Sequence, residues 1–205
     1  ERSRDATNTA SMKEFPGGLL IVGGANSPAS LSSMPAGKLM ADEIDRYPRD
    51  VGRDAEGGGE GDPLDLAEAR LSAFPRAKKY KASSPTILSL SRIWKDWLRS
   101  SQGEYHVPCP HCRELQVLRR ENLRYPEGKP EQAYFACIHN GCVIEERFKG
   151  WMLDEANGAR WIHKYPERIK VRGFHLSAWY AAPGLGKGWG ARATQYEDVK
   201  NDPLR

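Results

Sequence analysis

The sequence predicts an α/β chain in two styles: strand–helix units as far as residue 101, then a small β-rich element. Three observations carry this. Short apolar runs alternate with helix-spaced apolar stripes up to Ser101. From Tyr105 onward, β-like runs are separated by proline, glycine and cysteine. All 4 cysteines fall between Cys109 and Cys142.

The elements follow in order. The opening ERSRDATNTASMKEF is polar and without a period. Leu19–Val22 reads as a short buried strand ending in a glycine turn. Ser27 before Pro28 caps and starts a helix, because proline fits the first turn. A second strand, cut by Gly37 and Lys38 to Leu39-Met40-Ala41, leads into Asp42 and Glu43. Residues 49–62, RDVGRDAEGGGEGD, form a glycine-rich acidic loop. Asp62-Pro63 is another cap-plus-proline start, and Leu64, Ala67 and Leu71 continue the stripe.

Residues 76–88, RAKKYKASSPTIL, read as a basic strand ending in a Ser-Ser-Pro-Thr turn. In SRIWKDWLRSS, Ile93 and Trp97, and Trp94 and Leu98, have helical spacing, which assigns the tryptophans to the core. Beyond the cysteines RFKGWMLDEAN returns to helix. VRGFHLSAWY reads as a buried strand, APGLGKGWG as a flexible loop, and the end as a polar helix.

The 205 residues, 39% hydrophobic, suit one ordinary domain plus a small one with extensive loops. No apolar run approaches the ~18 residues of a membrane span, and no charged-then-apolar leader opens the chain. The first residue is not methionine, which fits a processed start or a segment of something longer. The net charge of +4 is unevenly spread. Acids dominate from Asp42 to Glu68, and basic residues from Arg70 to Arg99. That order suits a metal or nucleotide edge beside a polyanion-facing surface; solvated helix faces would give the same runs.

The cysteines are spaced C-x2-C-x24-C-x4-C. Two close pairs place four thiolates around a tetrahedral zinc, which makes Cys109, Cys112, Cys137 and Cys142 candidate ligands. Four sulfurs leave no open position, so such a zinc is structural. Two disulfides or four free thiols are the alternatives, and two-residue spacing rarely suits a disulfide. His111 and His139 lie inside the loops as further possible ligands.

Asp42 and Glu43 stand where a P-loop ATPase strand ends, the Walker B position: the aspartate for magnesium, the glutamate for the attacking water. Such a strand needs a GxxxxGK[ST] loop to hold the phosphates. Lys38 follows Gly37 but precedes leucine, and Lys187 in GLGKGWG lacks both the spacing and the following Ser/Thr. The 205 residues contain no phosphate loop.

In order along the chain, EFPGG (14–18), GANSPASL (24–31), ADEIDRYP (41–48), GEGDPLDLAEAR (59–70) and SSPT (83–86) match a known pattern. YHVPCPHC (105–112), a later cysteine pair and GFHLSAWY (173–180) continue it. The chain thereby resembles the large terminase subunit of tailed phages, of the GpA (lambda-like) type. The resemblance implies part of a RecA-like (ASCE) P-loop ATPase sheet followed by a zinc-ribbon-like element. It divides the chain into a second half of the ATPase at 1–101, the zinc element at 102–165, and 166–205 leading toward an absent nuclease. Departures from the family are the missing phosphate loop and nuclease, and the x4 gap between Cys137 and Cys142.

The implied function is that of an ATP-driven motor packaging viral DNA into procapsids, encoded by a phage or prophage and working in the bacterial host cytoplasm. Asp42 and Glu43 become the magnesium-binding and catalytic acids; Ser83, Ser84, Pro85 and Thr86 become the motif coupling hydrolysis to DNA movement. Zinc is then structural, and magnesium-ATP serves the complete protein. Double-stranded DNA, the small terminase subunit and the portal or procapsid are the implied partners, with an oligomer in the working motor and no membrane. The isolated chain is expected not to hydrolyse ATP. A stand-alone zinc-ribbon module binding nucleic acid or protein is the competing expectation, and an inert fragment a third.

Overall fold

The structure, a computed structural model, describes residues 8–32, 34–52 and 58–200. The first seven residues of the polar opening and residues 53–57 of the acidic loop lie outside the described residues. The chain divides into two compact units, Glu1–Lys95 and Asp96–Arg205. Both are mixed α/β, built on small sheets.

In the first unit, β1 (Met12–Phe15) and β2 (Gly18–Ile21) form an antiparallel hairpin. Its turn uses Gly17 at φ 87°, a left-handed conformation that glycine adopts without steric cost. The buried strand expected at Leu19–Val22 is therefore a hairpin arm, and Leu19, Leu20, Ile21 and Val22 are all exposed. Among the described residues its sheet partner is β1 alone, and the apolar side chains stay uncovered. Helix α1 (Pro28–Ser32) starts where the Ser-Pro pair indicates, with the Ser30 N–H donating to Ser27 Oγ at 3.4 Å.

Strand β3 (Lys38–Ala41) runs into a 3-10 turn, Ile44–Arg46. Helix α2 (Pro63–Ala69) is capped by Asp62, whose Oδ1 accepts from the Leu64 N–H at 2.9 Å. Strand β4 (Lys78–Lys81) pairs parallel with β3, Lys38 opposite Lys78 and Ala41 opposite Lys81. Parallel pairing brings both C-terminal ends to the same side. Ala82 N donates to Ala41 O at 2.9 Å and Ile44 N to Ala82 O at 3.3 Å, which extends the pairing into the following turns. Lys79 and Lys81 of the basic strand are both ion-paired with Glu68 of α2.

Helix α3 (Arg92–Arg99) carries the chain across the unit boundary. Trp94 and Trp97 are half-buried rather than core residues; Ile93 is the α3 side chain packed against the small apolar cluster of Ala41, Ile44 and Leu64. Arg92 is the buried anchor, 9% exposed. Its guanidinium donates to the carbonyls of Ile44 (3.1 Å), Tyr47 (2.8 Å) and Pro48 (2.8 Å), and to Asp62 Oδ2 (2.6 Å).

The second unit contains β5 (Gly103–Pro108), β6 (Leu115–Gln116), β7 (Leu123–Arg124), β8 (Tyr134–Ala136), β9 (Val143–Ile144), α4 (Lys149–Leu153), β10 (Arg160–His163), β11 (Phe174–His175) and α5 (Trp189–Val199). Strand β5 is central, with β10 antiparallel on one side, β11 parallel on the other and β6 at its far end. Strands β7, β8 and β9 make a second antiparallel sheet. VRGFHLSAWY contributes only two residues to the sheet, those of β11, before a 3-10 turn at Ala178–Tyr180, and Phe174 and Leu176 are exposed. The buried strand expected there is an edge strand, too short to be covered on both faces.

Tyr180, by contrast, is buried. Its hydroxyl accepts from Leu118 N and donates to Tyr105 O, and burial pushes its pKa up to about 12. Tyr180, Trp189 and Ala193 share one core with Val107, Phe135, Ile144 and Met152. Trp189 meets Phe135 edge-on at 4.7 Å. A Cβ at Gly190 would lie 2.1 Å from the Glu131 carbonyl oxygen, so glycine is what allows α5 to approach this closely. Lys149, 2% exposed, is neutralised by Glu146, whose other oxygen accepts from Trp189 N at the start of α5. Among the described residues no helix is long and apolar enough to cross a membrane.

Arg92→Ala strips four bonds from a buried site and leaves Asp62 without its partner. The first unit is expected to lose about 3–5 kcal/mol, read from amide hydrogen exchange in β3 and β4. Arg92→Lys is expected to recover only part of this, because an ammonium cannot reproduce the fork.

Candidate functional site

Two groups of side chains stand out, one in each unit. In the first, Asp42, Glu43, Arg46, Ala82, Ser83 and Ser84 line an open cleft of about 310 Å³ at the C-terminal ends of β3 and β4. That is where ligands bind in open α/β sheets. The fold thus brings together Asp42, Glu43, Ser83 and Ser84, residues about forty positions apart in sequence. Glu43 is left-handed, φ 52° and ψ 39°, unusual for a residue with a side chain. Its N–H donates to Asp42 Oδ1 at 2.9 Å, and its carboxylate lies 3.6 Å from Arg46. Strain of this kind clusters at working sites.

Thr86 lies outside the cleft lining. Its N–H donates to Asp45 Oδ2 at 3.0 Å, and Pro85 is outside the cleft lining. Sequence reasoning missed Asp45. The readable signal was a third acid in Asp42-Glu43-Ile44-Asp45, one that the 3-10 turn aims inward. Burial acts to raise the Asp45 carboxyl, but the Ile93 N–H, the Ser91 hydroxyl and the Thr86 N–H outweigh it and hold it below its ordinary 3.8. Glu68 follows the same logic: burial is outweighed by Lys79 and Lys81, and it lies below its ordinary 4.5.

In the second unit the four cysteines converge from two loops. Cys109 Sγ lies 3.4 Å from Cys142 Sγ, and Cys112 Sγ lies 3.6 Å from Cys137 Sγ. The sulfurs of Cys109, Cys112 and Cys137 all lie within 4.8 Å of one another; Cys142 is outside that tighter group. Tetrahedral zinc with Zn–S near 2.3 Å requires sulfurs about 3.8 Å apart. The N–H groups of His111 and Cys112 point at Cys109, and those of His139 and Asn140 at Cys137. Burial nevertheless pushes the Cys109 thiol up, while at Cys137 the N–H groups and neighbouring thiols outweigh burial and lower it.

The two loops share one backbone pattern. Cys109 N donates to Glu114 O and Arg113 N to Cys109 O; Cys137 N donates to Cys142 O and Gly141 N to Cys137 O. Arg113 (φ 68°) and Gly141 (φ 72°) occupy the same left-handed place. Asn140 therefore stands where the first loop has Cys112, and Cys142 comes two residues later. The x4 gap is the same loop with its second sulfur displaced. Each loop also carries a histidine two residues after its first cysteine. His111 Nε2–H donates to Val143 O and His139 Nε2–H to Leu115 O, both at 2.9 Å, so each histidine braces the opposite loop. The repeated Cys-x-His was visible in the sequence, but its bracing role was missed.

Residues 1–161 match the family model described as phage terminase large subunit gpA, ATPase domain. The match spans both side-chain groups. The terminase large subunit of Enterobacteria phage P21 is 30% identical over 164 residues, covering 76% of this chain and 24% of that protein. That of Escherichia phage lambda is 28% identical over 151 residues, covering 68% and 22%. The chain thus spans about a quarter of the length of these curated relatives. No solved structure matches it.

Because Asp45 and Glu68 are both lowered, their stabilisation is complete above 3.8 and 4.5 respectively and is lost as pH falls through the lower folded values. Acid titration of amide exchange in β3 and β4 is expected to show the first unit weakening below about pH 4. Glu68→Gln is expected to flatten that acid limb.

Proposed function

The chain belongs to the phage terminase large subunit gpA family, through its ATPase domain, and from that premise we propose that it is a working part of a motor that packages double-stranded viral DNA. The observation that carries this reading is the parallel β3–β4 pair, which presents Asp42 and Glu43 beside Ser83 and Ser84 in one cleft. In the complete protein Asp42 would hold magnesium, which would supply charge neutralisation for phosphoryl transfer. Glu43 orients the attacking water and accepts its proton. Ser83, Ser84, Pro85 and Thr86 form the turn that senses the state of the cleft and passes it toward DNA. The first unit is then part of a P-loop ATPase sheet, with the phosphate loop on sequence outside these 205 residues.

Cys109, Cys112 and Cys137 fit zinc by donor type and by mutual sulfur spacing, and Cys142, 3.4 Å from Cys109, offers the fourth thiolate. Cys109, Cys112, Cys137 and Cys142 would hold it, and zinc would supply the cross-link between two loops that otherwise touch through side chains. A stand-alone zinc-ribbon module is not favoured, because one family match spans both the acidic turn and the cysteines. The small terminase subunit and the portal are the partners this reading implies, with assembly into an oligomer.

The purified chain is expected to carry about one zinc and no ATPase. Chelation is expected to abolish amide protection in the second unit and spare the first; a second unit that stays protected without metal would refute the zinc assignment. In a complete terminase large subunit carrying this segment, Glu43→Gln is expected to lower kcat at least ~100-fold, the lower end of the range for a positioned acid–base group. An unchanged kcat would remove Glu43 from the mechanism.

A further inference from the structure

We propose that Asp45 is the positioning residue that locks the acidic turn to the Ser83–Thr86 turn and to the start of α3, so that the three move as one piece. The proposal rests on the reading of Asp42 and Glu43 as the hydrolytic acids. Three acids lie within four residues, and the fold divides them. Asp42 and Glu43 are exposed and line the cleft. Asp45 is half-buried, absent from the lining, and spends both carboxylate oxygens on protein N–H groups. It would therefore touch neither nucleotide nor metal, and acts only through the groups it holds.

Those groups belong to separate segments. Asp45 N donates to Ser83 Oγ at 3.2 Å. Oδ2 accepts from Thr86 N at 3.0 Å and from the Thr86 hydroxyl at 3.4 Å. Oδ1 accepts from Ile93 N at 2.9 Å, within the first turn of α3. Ser91 caps the same helix end by accepting from Trp94 N at 3.0 Å. Asp45 thus satisfies one of the orphan N–H groups that every helix start presents, and ties it to the turn beside the cleft. Asparagine cannot substitute: both oxygens face N–H donors, so an amide sets its own NH₂ against one of them.

The mechanical consequence is a short path. Glu43 is two residues from Asp45, and its left-handed backbone leaves the turn little slack. A displacement of Ser83–Thr86 shifts Asp45 and, with it, the catalytic carboxylate. The Asp45 carboxylate also reaches the first turn of α3.

The test uses a complete terminase large subunit carrying this segment, with Asp45→Asn, Ser83→Ala and the double variant compared in steady-state ATPase assays. Asp45→Asn is expected to lower kcat roughly 10- to 100-fold, the cost of a small misplacement at a reacting centre, with KM for magnesium-ATP shifted less than about threefold. Ser83→Ala is expected to act in the same direction and more weakly, and the double variant to fall no lower than Asp45→Asn, as coupled residues do. Unchanged kcat for a folded Asp45→Asn protein with a lowered melting temperature would reduce Asp45 to a structural tie and overturn the proposal. Multiplicative effects in the double variant would also overturn it. Should Asp45→Asn fail to fold, Ser83→Ala decides alone, and full activity there overturns it. Glu43→Gln run alongside separates the two failures. Hydrolysis that survives Glu43→Gln sinks the site reading itself, whereas hydrolysis lost in Glu43→Gln but intact in Asp45→Asn sinks only this inference.

Discussion

A single buried guanidinium organises the end of the β3–β4 sheet. Arg92 gathers three consecutive-turn carbonyls after β3 and the carboxylate that caps α2. The apolar cluster around it is small, with Ala41, Ile44 and Leu64 as its buried members among the described residues. Dispersion and burial alone would hold such a cluster weakly, since Ile44 and Leu64 contribute only about 1.5–3 kcal/mol each and Ala41 less. Directional bonds to a desolvated charge supply what the core lacks: they fix where the chain turns after the strand. The orientation of Asp42 and Glu43 depends on that turn. Asp45, inside the same turn, ties it to Thr86 and to the start of α3, so a cation and an anion hold one backbone segment.

The sequence made the local features legible and the long-range polar ones invisible. Ser27-Pro28 and Asp62-Pro63 mark helix starts because capping is a contact between near neighbours. The strand before Asp42 and the basic strand before Ser83 follow from short apolar or β-favouring runs bounded by turn residues. Leu19–Val22 misled because an apolar run signals a strand without saying what covers it; here the run lies in a two-stranded hairpin. Trp94 and Trp97 have core-like spacing, yet α3 turns Ile93 inward and leaves them half-covered. Arg92 and Asp45 leave no periodic trace, since their partners lie thirty to nearly fifty positions away.

The cysteine spacing was the clearest chemical signal, and the second unit explains why it can be read so directly. Metal-type clusters need ligands on tight loops, and tight loops are local. What the spacing does not disclose is how far the surrounding core depends on late sequence. Trp189 and Tyr180 reach back to close over Phe135 and Val107, so the loops are supported by chain far downstream of them.

The matching backbone of the two cysteine loops has a broader consequence. In each, the ladder of hydrogen bonds fixes the first sulfur, the histidine and the left-handed residue, while the second sulfur occupies either of two rungs. The scaffold, and not the interval between cysteines, is then what the two loops have in common. A relative could move its fourth ligand between rungs without rebuilding the loop. Searches keyed to a fixed C-x2-C interval would pass over such relatives, whereas the recurring Cys-x-His with a glycine or other left-handed residue two positions on would find them.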